Sequence, residues 1–158
     1  MSNSVASRAP ADQGVVVVRG SAKGFAQEVV IGPHRLTADE PADLGGTNSG
    51  PSPYELLLAA LGACTSMTVA MYARRREWPL EEVSVRLKHS KIHAEDCESC
   101  ETKEGMLDRV ESEIELAGEL TAEQRAQLLE IAKKCPVRRT LTSEIDVRTR
   151  LAESPNMS

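Results

Sequence analysis

Between Leu56 and Ala73 the chain carries no charged residue, while on either side polar and apolar positions alternate in short runs. In the uncharged stretch apolar residues recur all round a helical projection rather than along one stripe, which predicts a helix packed on every side. Its start is marked three times. Ser52 is a good N-cap, Pro53 fits the first helical position, and Glu55 completes a Ser-x-x-Glu capping box. At the far end Arg74, Arg75 and Arg76 suit the negative end of the helix dipole, and Pro79 forbids continuation. One long central helix within residues 51–79 is therefore expected, with Cys64 in its middle. The stretch approaches a membrane span in length, but Gly62, Thr65, Ser66 and Thr68 dilute it, so a core helix and no membrane are expected.

The flanking alternations read as strands. Val15–Arg19 and Phe25–Ile31, separated by the turn residues Gly20–Gly24, form an early hairpin, and His34–Ala38 follows the Gly32-Pro33 turn. Asp39–Gly50 is a loop rich in Gly, Pro and acid that delivers the chain to the central helix, and loops of this length are often functional. Beyond the helix, Val83, Val85 and Leu87 mark a strand, and Val110, Ile114 and Leu116 mark another through Arg109–Ala117. Thr121 and Gln124 then form a capping box for a second helix that carries Leu128, Ile131, Ala132 and Cys135 on one face and is stopped by Pro136. Leu141, Ile145, Val147 and Leu151 predict a last strand. The order gives an α+β fold with mainly antiparallel sheet, a single domain over residues 15–151, and loose tails at 1–14 and 152–158.

Composition narrows the function. A net charge of −5 and only 3% aromatic residues offer neither an electrostatic footprint for polyanions nor a stacking platform, so nucleic acid is not an expected partner. No apolar secretory segment opens the sequence, and a cytoplasmic location is expected. In that reducing compartment the 4 cysteines, Cys64, Cys97, Cys100 and Cys135, point to redox or metal chemistry before structural disulfides. Cys64 is too interior for the N-terminal dipole to favour its thiolate, so activation needs a cation from elsewhere, and Arg35 is the candidate. Cys135 is placed at a helix C-terminus, where the dipole opposes a thiolate, amid Lys133, Lys134, Arg138 and Arg139. From spacing alone the more usual reading of both cysteines is as small hydrophobes filling a core.

The segment from Gly50 to Thr68, Gly-Pro-Ser-Pro-Tyr-Glu-Leu-Leu-Leu-Ala-Ala-Leu-Gly-Ala-Cys-Thr-Ser-Met-Thr, is followed about seventy residues later by Lys-Lys-Cys-Pro-Val-Arg-Arg-Thr-Leu. The pair of motifs resembles the OsmC/Ohr family, the osmotically inducible and organic hydroperoxide resistance proteins. The stretch from His89 to Gly105 resembles an OsmC-like branch of it. The resemblance implies an intertwined homodimer whose central helices pack between sheets, with each site assembled from both chains. It also implies a thiol-dependent peroxidase for organic hydroperoxides. Cys64 matches the attacking cysteine, which becomes a sulfenic acid, and Cys135 the resolving one, which condenses with it into a disulfide. An external dithiol, of lipoyl or thioredoxin type, reduces that disulfide, and no metal or organic cofactor is implied. Arg35 would be the activating cation and Glu55 the orienting carboxylate. Peroxidase members typically carry glutamate directly after the proline; here Tyr54 holds that place and Glu55 follows, about 100° further round the helix.

His89, His93, Cys97 and Cys100 have the ligand types of a tetrahedral zinc site, but if the strand begun at Val83 persists the two histidines lie about 13 Å apart along it. As a redox Cys-x-x-Cys the pair lacks a helix N-terminus, and the acids around it disfavour a thiolate. An exposed acidic loop with incidental thiols is the third reading of this segment. Two alternatives to the peroxidase thus stand: a non-catalytic protein holding a small ligand in an apolar cavity, and a zinc or thiol redox-sensing protein.

Overall fold

In a computed structural model, residues 14–153 are described. The tails expected at 1–14 and 152–158 fall almost wholly outside them. Strands β1 (Val17–Gly20), β2 (Gln27–Ile31) and β3 (His34–Ala38) are followed by helix α1 (Pro53–Arg75), β4 (Leu80–His93), β5 (Met106–Gly118), α2 (Ala122–Ala132) and α3 (Pro136–Leu141). β1, β2 and β3 form an antiparallel meander in which Val17 faces Val30 and Val29 faces Leu36; β4 pairs with β5 in a second sheet. The chain divides into two compact units. One holds the described residues up to Ala59 with Lys88–Val110, the other Ala60–Leu87 with the residues from Glu111 onward, so α1, β4 and β5 run through both.

In the first unit the loop after β3 is organised by one carboxylate. Asp39 is 2% exposed. It accepts hydrogen bonds from the Glu40 N–H and from both the N–H and the hydroxyl of Thr47 and of Ser49. The Thr47 and Ser49 hydroxyls lead in holding its carboxyl well below the usual range, with the backbone donors adding to them against the opposing effect of burial. Gly46 has no room for a side chain, since a Cβ there would lie 1.9 Å from the Glu40 carbonyl oxygen. The loop ends at the expected capping box: the Ser52 hydroxyl accepts from the Glu55 N–H, and the Glu55 carboxylate accepts from the Ser52 N–H.

The second unit has a core of Val69 and Ala73 from α1 with Leu128 and Ala132 from α2, flanked by Trp78, Leu80 and Val83 and by Ile114, Leu116 and Leu120. The α2 capping box between Thr121 and Gln124 is formed. At Gly118 φ is +135° and an added Cβ would meet the Pro79 carbonyl oxygen at 2.2 Å, so glycine is required where β5 turns toward α2.

Three expectations are corrected. α1 is not buried on every side: Leu61, Thr65, Val69 and Ala73, four residues apart, form one buried stripe, while Met67 is 70% exposed. One chain supplies cover for only one face. The second helix does not reach Cys135 but ends at Ala132, and a new helix begins at Pro136. The last strand is absent: Leu141 ends α3, and Val147 and Leu151 are 80% and 96% exposed. A strand needs an edge to pair with, and among the described residues none is paired with this segment.

Candidate functional site

Cys64 and Cys135, about seventy positions apart, meet in the second unit. The middle of α1 puts Cys64 on the turn beside Thr65, whose side chain lies in the buried stripe. Thr65 is 5% exposed and its hydroxyl reaches both the Leu61 carbonyl oxygen at 2.8 Å and Cys135 Sγ at 3.6 Å. Cys135 is fully buried, and the Cys64 side chain lies beside it. Cys64 is the accessible partner. It opens on an apolar recess of about 340 Å³ lined by Ala60, Ala63, Met67, Thr68, Met71 and Pro136.

The local chain explains the setting of Cys135. After α2 ends, Lys133 and Lys134 turn the backbone and Pro136 starts α3 in the first helical position, where its lack of an N–H costs nothing. Cys135 is therefore an N-cap, not the C-terminal residue the sequence suggested, and its Sγ accepts from the Arg138 N–H at 3.3 Å. The Arg138 guanidinium meanwhile donates to the Lys133 carbonyl oxygen at 2.8 Å. Burial pushes the Cys135 thiol pKa up. Hydrogen bonds from the Arg138 N–H, the Thr65 hydroxyl, the Cys64 thiol and the Val137 N–H outweigh it and hold the thiol below its ordinary value. An open thiol beside a buried thiol whose anionic form is favoured by hydrogen bonds is suited to two-step thiol chemistry.

The other candidate residues have different partners. Arg35 pairs across the strands with Glu28, and Glu55 is engaged in the helix cap. Tyr54 stacks on the His89 ring, centroids 4.5 Å apart, and His89 Nε2 lies 2.8 Å from Asp108 Oδ1, which also pairs with Lys91 at 3.2 Å. These contacts lower the Asp108 carboxyl pKa, the His89 hydrogen bond foremost. The four residues weighed for zinc are not gathered together. β4 runs unbroken through His89 to His93, and Cys97 and Cys100 are joined as a disulfide. Among the described residues no cluster of His, Cys, Asp and Glu could hold a metal ion. Thr65 and the amides following Cys135 were not singled out from the sequence; Cys-Pro as a cap followed by the first helical residue is the signal that could have found the amides.

The chain resembles solved structures of about its own length. A putative osmotic stress induced and detoxification response protein from Psychrobacter arcticus superposes with a TM-score of 0.61 at 18% identity, over 79% of this chain and 85% of that one. An organic hydroperoxide resistance protein OsmC from Legionella pneumophila gives 0.59 at 21% identity, over 85% and 93%. An OsmC like protein from Mycoplasma pneumoniae gives 0.64 at 17%, over 80% and 85%. No curated protein matches the sequence. These likenesses carry the fold: mixed α and β, with antiparallel pairing and a long helix. The profile of the OsmC-like proteins matches residues 46–150, which hold α1, both cysteines and most of the chain, and the protein therefore belongs to the OsmC-like family.

Proposed function

We propose that the protein is a thiol peroxidase that reduces organic hydroperoxides through Cys64 and Cys135. Family membership supports a peroxide-related role. The observation that carries the reading is the thiol contact itself: Cys64 faces an apolar recess, while Cys135 is buried against it and held as a hydrogen-bond acceptor by the start of α3. The recess would admit the organic part of a hydroperoxide, and Cys64 is the thiol among its lining residues.

With Cys135 in its thiol form, Cys64 loses its proton to solvent and its thiolate attacks the terminal oxygen of ROOH. The O–O bond breaks, Cys64 becomes a sulfenic acid, and the departing alkoxide takes the Cys135 proton to leave as an alcohol. Cys135, now a thiolate, attacks the Cys64 sulfur and expels hydroxide, which takes up a proton equivalent to the one Cys64 released, leaving water and a Cys64–Cys135 disulfide. An external dithiol, lipoyl or thioredoxin in type, returns two electrons and two protons. Arg35 is proposed as the activating cation and Glu55 as the orienting carboxylate, on the family resemblance; within this chain they pair with Glu28 and the Ser52 N–H.

The assembly proposed is a homodimer in the cytoplasm. The open face of α1 supports the dimer, because Leu57, Met67 and Met71 leave apolar surface in water that a second copy would cover. The deciding experiment follows cumene hydroperoxide consumption with dihydrolipoamide as reductant. Cys64→Ser abolishes turnover, Cys135→Ser accumulates a sulfenic acid at Cys64, and Arg35→Gln slows the first step. Consumption unchanged in Cys64→Ser refutes the proposal. The apolar lining of the recess also fits a protein that binds a small ligand without turning it over. An organic molecule released from the purified protein, with no peroxide consumption, would select that reading.

A further inference from the structure

A second sulfur pair lies in the first unit, at the turn between β4 and β5, and the peroxidase cycle has no use for it. β4 ends at His93, residues Ala94–Asp96 form a single 3-10 turn, and β5 begins at Met106. The turn is closed by the Ala94 N–H on the Gly105 carbonyl oxygen at 2.8 Å and by the Cys97 N–H on the Ala94 carbonyl oxygen at 3.1 Å. Ala94 is fully buried beneath it. Cys97 and Cys100 are bridged, their Cα atoms 5.5 Å apart. Between Ala94 and Gly105 five carboxylates, Glu95, Asp96, Glu98, Glu101 and Glu104, face one ammonium, Lys103, and all six are exposed.

We propose that Cys97–Cys100 is a dithiol–disulfide exchange site, separate from Cys64 and Cys135, whose partner is a thiol flanked by positive charge. A bridge spanning only three positions restrains little of the unfolded chain, so stapling the fold is a poor account of it. Backbone hydrogen bonds already close the turn without it. The two sulfurs are unequal: Cys97 is 8% exposed, whereas Cys100 is half-buried, so the attacking thiolate reaches Cys100. The S–S bond breaks, Cys100 enters a mixed disulfide, and Cys97 leaves as a thiolate that takes a proton from water. A second thiolate of the partner then attacks the partner's sulfur in the mixed disulfide and releases Cys100, which is protonated. Two partner thiols have become one disulfide, and the pair has gained two electrons and two protons.

The acidic frame decides which thiolate arrives. Exposed carboxylates around a buried-to-half-buried sulfur repel an anionic thiolate and spare one whose charge is balanced by its own cation, and salt removes the difference. The pair therefore discriminates among reductants by charge.

The test reduces the full-length protein with cysteamine, 2-mercaptoethanol and 3-mercaptopropionate, quenches by alkylation and reads the Cys97/Cys100 peptide by mass. Rates are expressed per thiolate at ionic strengths from about 0.01 to 1 M. The salt dependence is the readout, because intrinsic differences between the thiols cancel in it. Mercaptopropionate, a dianion as its thiolate, is expected to accelerate most with salt and the 2-mercaptoethanol monoanion less, while the cysteamine zwitterion stays near flat, so that the ratio of cysteamine to mercaptopropionate falls about tenfold. The double variant Glu98→Gln, Glu101→Gln should flatten both slopes, and cystamine should rebuild the bridge in reduced protein. Parallel salt profiles for the three thiols, a bridge that no thiol opens in folded protein, or a reduced pair that cystamine fails to close would each overturn the proposal. None of these outcomes depends on peroxide turnover.

Discussion

Replacing Thr65 by Val isolates the hydrogen bond that reaches Cys135 from α1. The hydroxyl has one proton and two acceptors, the Leu61 carbonyl oxygen at 2.8 Å and Cys135 Sγ at 3.6 Å. A hydrogen bond to a charged acceptor is worth about 1.5–3 kcal/mol, but donating to the thiolate means giving up the Leu61 bond, worth about 1 kcal/mol. The net stabilisation of the anion is then roughly 0.5–2 kcal/mol, or about 0.4 to 1.5 pKa units. Thr65→Val should raise the Cys135 pKa by that amount while the shape of the stripe is kept. Since Cys135 is fully buried, alkylation rates would report opening rather than ionisation. The assay is therefore the pH dependence of its Cβ resonance in protein labelled with 13C-cysteine. Kinetically the thiolate fraction falls while each thiolate becomes more nucleophilic, with a Brønsted coefficient of about 0.45, so disulfide formation near neutral pH should slow about two- to sevenfold. An unchanged or lowered pKa in Thr65→Val, or a wild-type Cys135 above the ordinary thiol value of about 8.5, would refute the assignment of these donors.

Leu128 is fully buried at the centre of the second unit's core, and Leu128→Ala should cost about 3 kcal/mol in chemical denaturation. The matching fall in Tm is roughly 10 °C by calorimetry. Because the Asp39 carboxyl pKa is lowered in the folded chain, its contribution to stability is full above the unfolded value of about 4 and is lost as pH falls through the folded one. Asp39→Asn should therefore lower Tm at pH 7 and flatten the acid limb of the Tm against pH curve. If the open face of α1 is covered by a second copy, Met67→Glu with Met71→Glu should convert a dimer to monomer in sedimentation velocity; an unchanged sedimentation coefficient argues against that dimer face.

Much of the fold was legible because local chemistry and tertiary structure agree. Ser52 with Glu55 and Thr121 with Gln124 signal caps that form as written, and His34–Ala38 starts and stops where its turn residues place it. The pairing of Cys64 with Cys135 followed from a resemblance, since no spacing in sequence brings residues of two different helices together. Cys135 shows where local signals are ambiguous. A proline both ends one helix and begins the next, and choosing between them required knowing that α2 stops at Ala132. The choice inverts the electrostatics: a sulfur at a C-terminus faces carbonyl oxygens, whereas at this N-cap it faces N–H groups that favour its anion.

The remaining misreadings share a physical cause. Periodicity reports which residues want burial, not which chain buries them. The outer face of α1 with Met67, the valines of β1, and the segment carrying Ile145, Val147 and Leu151 all have patterns that demand cover, and all are exposed in one chain. Each could be dismissed alone, since scattered apolar side chains are normal on a surface. A helix face, a strand and an extended segment with the same deficit are less easily dismissed. A second copy, as proposed, would remedy all three: the alternation from Leu141 to Leu151 would gain a strand edge and the recess beside Cys64 a far wall. The sedimentation test on Met67 and Met71 thus bears on the site as well as on the assembly. Should the double variant remain dimeric, the recess would have to be closed by some other surface, and the apolar hydroperoxide pocket would lose its principal structural support.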